Sequence, residues 1–146
     1  HQGDQVLLGM KKRGFGVGRW NGFGGKVEKG EMVEAAMRRE VFEEASIDVT
    51  DACKVGIIEF EFQGDSQILE VHIFRAEKFV GEPTEGEEMK PQWFHIDEIP
   101  YHKMWSDDKH WLPLFLDGKK FKGKFVFDEN NNILDFKLKT IKKLFI

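Results

Sequence analysis

Six glycines fall between positions 14 and 25 (Gly14, Gly16, Gly18, Gly22, Gly24 and Gly25), and a stretch free of glycine and proline follows at residues 32–45. Backbone so rich in glycine makes neither a helix nor a regular strand. It supplies close approaches and positive φ angles that a β-carbon forbids. The stretch that follows is built of good helix formers, with Val33, Met37 and Val41 at four-residue intervals, which predicts a helix with one apolar stripe. On a helical wheel at about 100° per residue with Val33 at the origin, Met37 lies near 40° and Val41 near 80°. Glu40 and Glu44 fall at about −20° and +20°, inside that stripe, and Glu43 flanks them near −80°. Ionised carboxylates facing inward are costly without a cation, and at these spacings they also repel one another. A hard divalent cation relieves both problems. Magnesium does so while keeping waters and phosphate oxygens in its shell. The competing reading, a solvated acidic face with Arg38 and Arg39 as counter-ions, stays open on this feature alone.

The rest of the chain predicts a mixed α/β fold. Residues 54–62 and 68–76 have strand character around a turn at Gly64-Asp65, and 92–96 reads as a further strand. Residues 107–116 read as a helix interrupted by Pro113, and 122–127 with 133–138 as a hairpin around Asn130-Asn131-Asn132. There is no internal repeat and no low-complexity segment, so 146 residues are expected to form one domain, 1–146. The charge balance of 22 basic against 26 acidic residues, net −4, opposes a duplex nucleic-acid binder. Lys119, Lys120, Lys122 and Lys124, interleaved with Phe121, Gly123 and Phe125, read as a strand with one solvated face. No run approaches the ~18 apolar residues of a membrane span, so no membrane partner is expected. Cys53 is the single cysteine; it excludes an internal disulfide and a cysteine zinc site, and with no secretory signal pattern it suggests a reducing, cytoplasmic setting, mitochondrial and nuclear pools remaining open. His72, His95, His102 and His110 have no serine motif or second nucleophile to form a triad with, and read as structural.

The spacing around the helix is more specific than its wheel. Gly25, five residues, Glu31, seven residues, Arg39-Glu40-Val41, one residue, Glu43-Glu44, one residue and Ser46-Ile47 resembles the box of the Nudix family, with serine at one position where the family has glycine. That glycine resembles a left-handed helix C-cap, where serine costs on the order of 1 kcal/mol. The resemblance implies an α+β Nudix fold, a mixed sheet sandwiched by helices with a strand–loop–helix metal and pyrophosphate motif. It implies cleavage of a nucleoside diphosphate linked to another group, with Mg²⁺, or Mn²⁺, as cofactor. Glu40, Glu43 and Glu44 would hold the metal and one of them activate water, Arg39 would orient them, Glu31 would brace the loop, and Gly24 and Gly25 would bring backbone groups close to metal and phosphates. Glu88 stands where the family often adds a carboxylate from a later loop.

Outside the box the resemblance narrows to the animal MutT homologues of the family. It rests on residues 6–16 and 19–27, Phe60-Glu61-Phe62, Val71-His72-Ile73-Phe74 and Met104-Trp105-Ser106-Asp107-Asp108. Those relatives hydrolyse oxidised purine nucleoside triphosphates to monophosphate and pyrophosphate and so sanitise the nucleotide pool; the expected substrates are 8-oxo-dGTP, 2-oxo-dATP and O6-methyl-dGTP. The resemblance further implies a strand before His1 and a monomer. Asn21 would hydrogen-bond the purine, Trp105 stack on it, and Asp107 with Asp108 read its edge by sharing a proton. Phe15, Phe60, Phe62, Met89 and Trp111 would close the pocket, Lys11 would lie at its rim, and Phe23, Lys26 and Ser106 would complete the substrate contacts. Two alternatives stand beside this: a Nudix hydrolase of ADP-ribose or a cap structure, and a non-catalytic Nudix-fold binding module. The aspartate pair also fits a plain helix N-cap.

Overall fold

A computed structural model describes residues 1–143, so positions 144–146 of the expected domain lie outside the described residues. The elements run β1 (Gln5–Lys11), β2 (Trp20–Asn21), α1 (Val33–Ala45), β3 (Asp48–Phe62), β4 (Ile68–Val80), β5 (Met89–His95), α2 (Asp108–Leu116), β6 (Lys120–Phe127) and β7 (Ile133–Ile141). The strands form a three-stranded sheet in the order β2-β1-β5 and a four-stranded sheet in the order β4-β3-β6-β7. The first is antiparallel; in the second β3 runs parallel to β6 and β6 antiparallel to β7. The chain divides into two compact units, His1–Ala52 with Ala76–Trp105, and Cys53–Arg75 with Ser106–Ile146.

In the first unit α1 buries Ala36, Val41 and Ala45. Val41 and Ala45 form a core with Ile47 and Val49, against which Met37, Leu7, Phe23 and Phe79 pack. The inner face is thus centred between Met37 and Val41 rather than on Val33, which leaves Glu40 and Glu44 at its edge, half-buried. The helix ends as the box spacing predicts. Ser46 is left-handed, φ 62° and ψ 28°, with its N–H on the Phe42 carbonyl. An exposed serine in that conformation carries the strain glycine avoids. Ser46→Gly is expected to stabilise the fold by about 1 kcal/mol, raising Tm by roughly 2–4 °C in a thermal melt.

In the second unit Phe121, Phe125, Phe127 and Ile58 are fully buried, and the register sets Phe60 beside Phe125 and Phe62 beside Phe127. Two expectations change. Strands β3 and β4 outrun the predicted 54–62 and 68–76, because polar and small residues such as Asp51, Ala52 and Cys53 dilute the apolar alternation without preventing pairing. Helix α2 is not interrupted at Pro113 but continues to Leu116. In so short a helix the proline removes one backbone donor, and its own carbonyl still accepts the Asp117 N–H at 3.0 Å. The turns follow the sequence: Gly64 has φ 85° and Asn131 φ 63°, and the Asp128 carboxylate accepts the N–H groups of Asn130 and Asn132.

Candidate active site

The glycine loop and α1 place the carboxylates. Glu31, ahead of the helix, accepts the Glu28 N–H at 2.9 Å and both Nε (2.8 Å) and Nη2 (3.1 Å) of Arg39. The hydrogen bonds from Arg39 hold the Glu31 carboxyl below the usual range. Arg39 spends its remaining donors on Glu40 (2.8 Å), Glu43 (3.3 Å) and the Lys26 carbonyl (3.1 Å), so one guanidinium fixes three glutamates and the loop. Glu43 is the outward member of the set, its side chain 55% exposed against 18% for Glu40.

Glu44 differs from both. Its Oε1 accepts the Gly24 N–H at 2.8 Å, and no arginine or lysine pairs with it directly. Burial, reinforced by the negative charges of Glu40 and Glu88, pushes its carboxyl up to about 7, against the opposing pull of the Gly24 N–H and of Lys11. Gly25 meets Glu40 so closely that a β-carbon there would lie 2.4 Å from the carboxyl carbon. Glu88 is gripped by Arg13 Nε at 2.7 Å and Lys11 Nζ at 3.4 Å, and Arg13's hydrogen bond holds its carboxyl low. Lys12 ties the same loop through Glu85 at 2.6 Å.

These donors fit a hard cation in kind. Glu40, Glu44 and Glu88 lie within mutual electrostatic reach, and a divalent ion would cancel the repulsion that keeps Glu44 near neutral. Among the described residues no three are gathered into a finished ligand set, since Arg39, Arg13 and Lys11 occupy Glu40, Glu43 and Glu88.

The first unit also contains part of the expected base pocket. Trp105 stacks with Phe15, ring centroids 5.2 Å apart, and carries the Arg19 guanidinium 4.1 Å over its ring. Gly16 lies close enough that a β-carbon would touch the indole Nε1 at 3.4 Å. Phe15 is otherwise exposed. Asn21 donates Nδ2 to the Arg19 carbonyl at 3.0 Å. Phe23 and Met89 pack inward around Gly9, and Met89 is buried. Lys26 is exposed.

In the second unit Asp107 and Asp108 are the buried charged residues, at 4% and 8% exposure. Asp107 stands at the N-cap of α2 but makes no capping bond; its Oδ2 instead accepts Trp111 Nε1 at 2.8 Å. A plain N-cap therefore does not explain it. Burial raises its carboxyl. Beside it the Ser106 hydroxyl is buried without a partner, a polar atom left for something else to satisfy. Trp111 stacks on Phe121, and Phe60 and Phe62 join a ladder with Phe125 and Phe127 at centroid distances of 5.5–6.0 Å. Three residues that the sequence reading gave no role come into view: Arg13, which binds Glu88; Arg19, which covers Trp105; and His110, which packs on Phe136 at 4.4 Å. The basic run at 11–13 was the available signal for Arg13. Nothing local marked the other two.

The NUDIX domain model matches residues 1–115. The chain belongs to the Nudix family. Nudix hydrolases use divalent cations, which suits the acidic face of α1. The chain is 52% identical over 143 residues to an oxidized purine nucleoside triphosphate hydrolase of Danio rerio, covering 98% of this chain and 92% of the relative. The protein of the same name in Mus musculus is 52% identical over 140 residues, covering 96% and 90%. A solved structure of a mutator MutT protein from Bacillus halodurans superposes with a TM-score of 0.85 at 29% identity, covering 94% of this chain and 92% of the other. The Nudix fold expected from the box is the fold found.

Proposed function

We propose that this Nudix protein is a magnesium-dependent hydrolase of oxidised purine nucleoside triphosphates, releasing the monophosphate and pyrophosphate and so clearing the nucleotide pool of damaged precursors. The observation that carries it is the Glu44 carboxylate, half-buried on the Gly24 N–H beside Glu40 and Glu88 with no cationic side chain paired to it. The purine preference rests on the relatives' activity together with Asn21, Trp105, Ser106, Asp107 and Asp108.

In this reading Glu40, Glu43, Glu44 and Glu88, with the Gly24 backbone, hold the cation. Bound magnesium neutralises polyphosphate charge, acidifies water and aligns attack on phosphorus. Arg39 fixes the carboxylates through charge-assisted bonds, so that little reorganisation is needed. Lys11 offers its ammonium to a phosphate oxygen once it leaves Glu88. Trp105, with Phe15 and Arg19, forms the stacking platform, while Ser106 and the Asp107–Asp108 pair supply donors and acceptors for the base edge. Phe23 and Met89 support the site from the core; Phe60, Phe62 and Trp111 give the pocket its aromatic wall. We take the chain as one Nudix domain acting as a cytoplasmic monomer on a small nucleotide, free of duplex nucleic acid and membranes. In support, the net charge is −4, and among the described residues no helix is long and apolar enough to cross a membrane.

Hydrolysis of 8-oxo-dGTP in ¹⁸O-water tests the reaction: the expected products are 8-oxo-dGMP and pyrophosphate, and orthophosphate with the diphosphate, or turnover of ADP-ribose alone, would overturn it. Asp107→Asn tests the pocket. An amide cannot take part in a shared proton, so the ratio of kcat/KM for 8-oxo-dGTP and 2-oxo-dATP is expected to move by about tenfold. Unchanged activity on both would remove Asp107 from base recognition.

A further inference from the structure

His110 lies one helical turn beyond Asp107, its backbone N–H on the Asp107 carbonyl at 2.9 Å. Residues three apart on a helix are surface neighbours. The next residue, Trp111, reaches back to hold the Asp107 carboxylate at 2.8 Å, so this turn of α2 is organised around that carboxyl. The His110 ring sits on Phe136 with centroids 4.4 Å apart and near Phe125 at 6.2 Å. Phe136 is itself 41% exposed, which leaves the stack bordered by water.

An imidazole changes charge between about pH 5 and 8, and aromatic faces stabilise its cationic form. From β6 and β7, the strands packed on α2, the groups that meet His110 are these two phenylalanines. Their chain neighbours Lys124, Asp135 and Lys137 project from the opposite face by strand alternation, and Lys124 there pairs with Glu61 at 3.0 Å. On its own helix the carboxyl one turn back is Asp107, with Asp108 next along and Lys109 exposed. The one titratable group in position to feel the His110 charge strongly is thus the buried aspartate pair.

We propose that His110 is a specificity-setting positioning residue whose charge selects which member of the Asp107–Asp108 pair carries their shared proton, and thereby which oxidised purine the pocket prefers. Protonated His110 favours ionised Asp107 and moves the proton to Asp108; neutral His110 leaves it on Asp107. The inference rests on the reading of the aspartate pair given under Proposed function.

The test is the ratio of kcat/KM for 8-oxo-dGTP over 2-oxo-dATP from about pH 5.5 to 8.5. It is measured for the unaltered chain, for His110→Phe, which keeps the aromatic stack, and for His110→Gln, which keeps a polar group. The unaltered chain is expected to change its ratio by about fivefold across the imidazole range. Both variants are expected to hold a constant ratio there while still turning over both nucleotides. A variant ratio that tracks the unaltered chain, or an unaltered chain with a flat ratio, overturns the role of His110 while leaving the proposed activity intact. Absence of turnover on both nucleotides by the unaltered chain overturns the activity and this inference together.

Discussion

Glu44→Gln is expected to lower kcat by at least about a hundredfold, since it removes a charged oxygen donor from the cation site, and at the same time to make the metal-free protein more stable at pH 8. The second effect follows from the carboxyl's environment. Its proton is held more tightly in the folded chain, at about 7, than at the ordinary value of 4.5. The stability this confers is fully present below 4.5 and is lost as pH rises through about 7. Above that, the native state must carry an ionised carboxylate beside Glu40 and Glu88. Solvent screening at this half-buried position reduces the cost to about 1 kcal/mol. Melting curves at pH 5 and pH 8 in chelator therefore should converge for the variant and diverge for the unaltered chain, and added Mg²⁺ should close that gap. A glutamine variant as active as the parent would remove Glu44 from the site.

Gly25→Ala is expected to cost about a hundredfold in kcat/KM, the penalty of a misplacement near 1 Å in an aligned site. The new methyl would lie 2.4 Å from the Glu40 carboxylate. That carboxylate is pinned by Arg39 at 2.8 Å, so it cannot yield without breaking the charge-assisted bond that orients it. The companion variant Gly22→Ala, whose β-carbon would meet nothing within 4 Å, should remain within about threefold of the parent. Equal losses in the two variants would show that loop flexibility, not the approach of Gly25 to Glu40, is what the glycines provide.

How legible this site was depends on distance along the chain. The glycine loop, α1 and the left-handed Ser46 are local features, written in a run of some two dozen residues, and the structure follows them closely. The wheel was right about which glutamates turn inward, Glu40 and Glu44 rather than Glu43, although Ala36 and Ala45 shift the buried face away from Val33. Alanines carry little hydrophobic signal and pack where space is narrow. Partnerships across long loops were not legible. The grip of Arg13 on Glu88 spans 75 positions, and the parallel pairing of β3 with β6 depends on a register that no turn sets. The hydrogen bond from Trp111 to Asp107, four positions apart, was within reach of the helical reading. It was obscured because an aspartate opening a helix so often caps it.

The account's central claim is that the acidic face of α1 drives hydrolysis of oxidised purine nucleoside triphosphates. The most direct measurement is a competition assay with Mg²⁺ on an equimolar mixture of 8-oxo-dGTP and dGTP, following each monophosphate, run beside Glu44→Gln. The account predicts that 8-oxo-dGMP accumulates at least about tenfold faster than dGMP, and that both products fall away in the variant. Equal consumption of the two nucleotides, or turnover that survives the loss of Glu44, would contradict it.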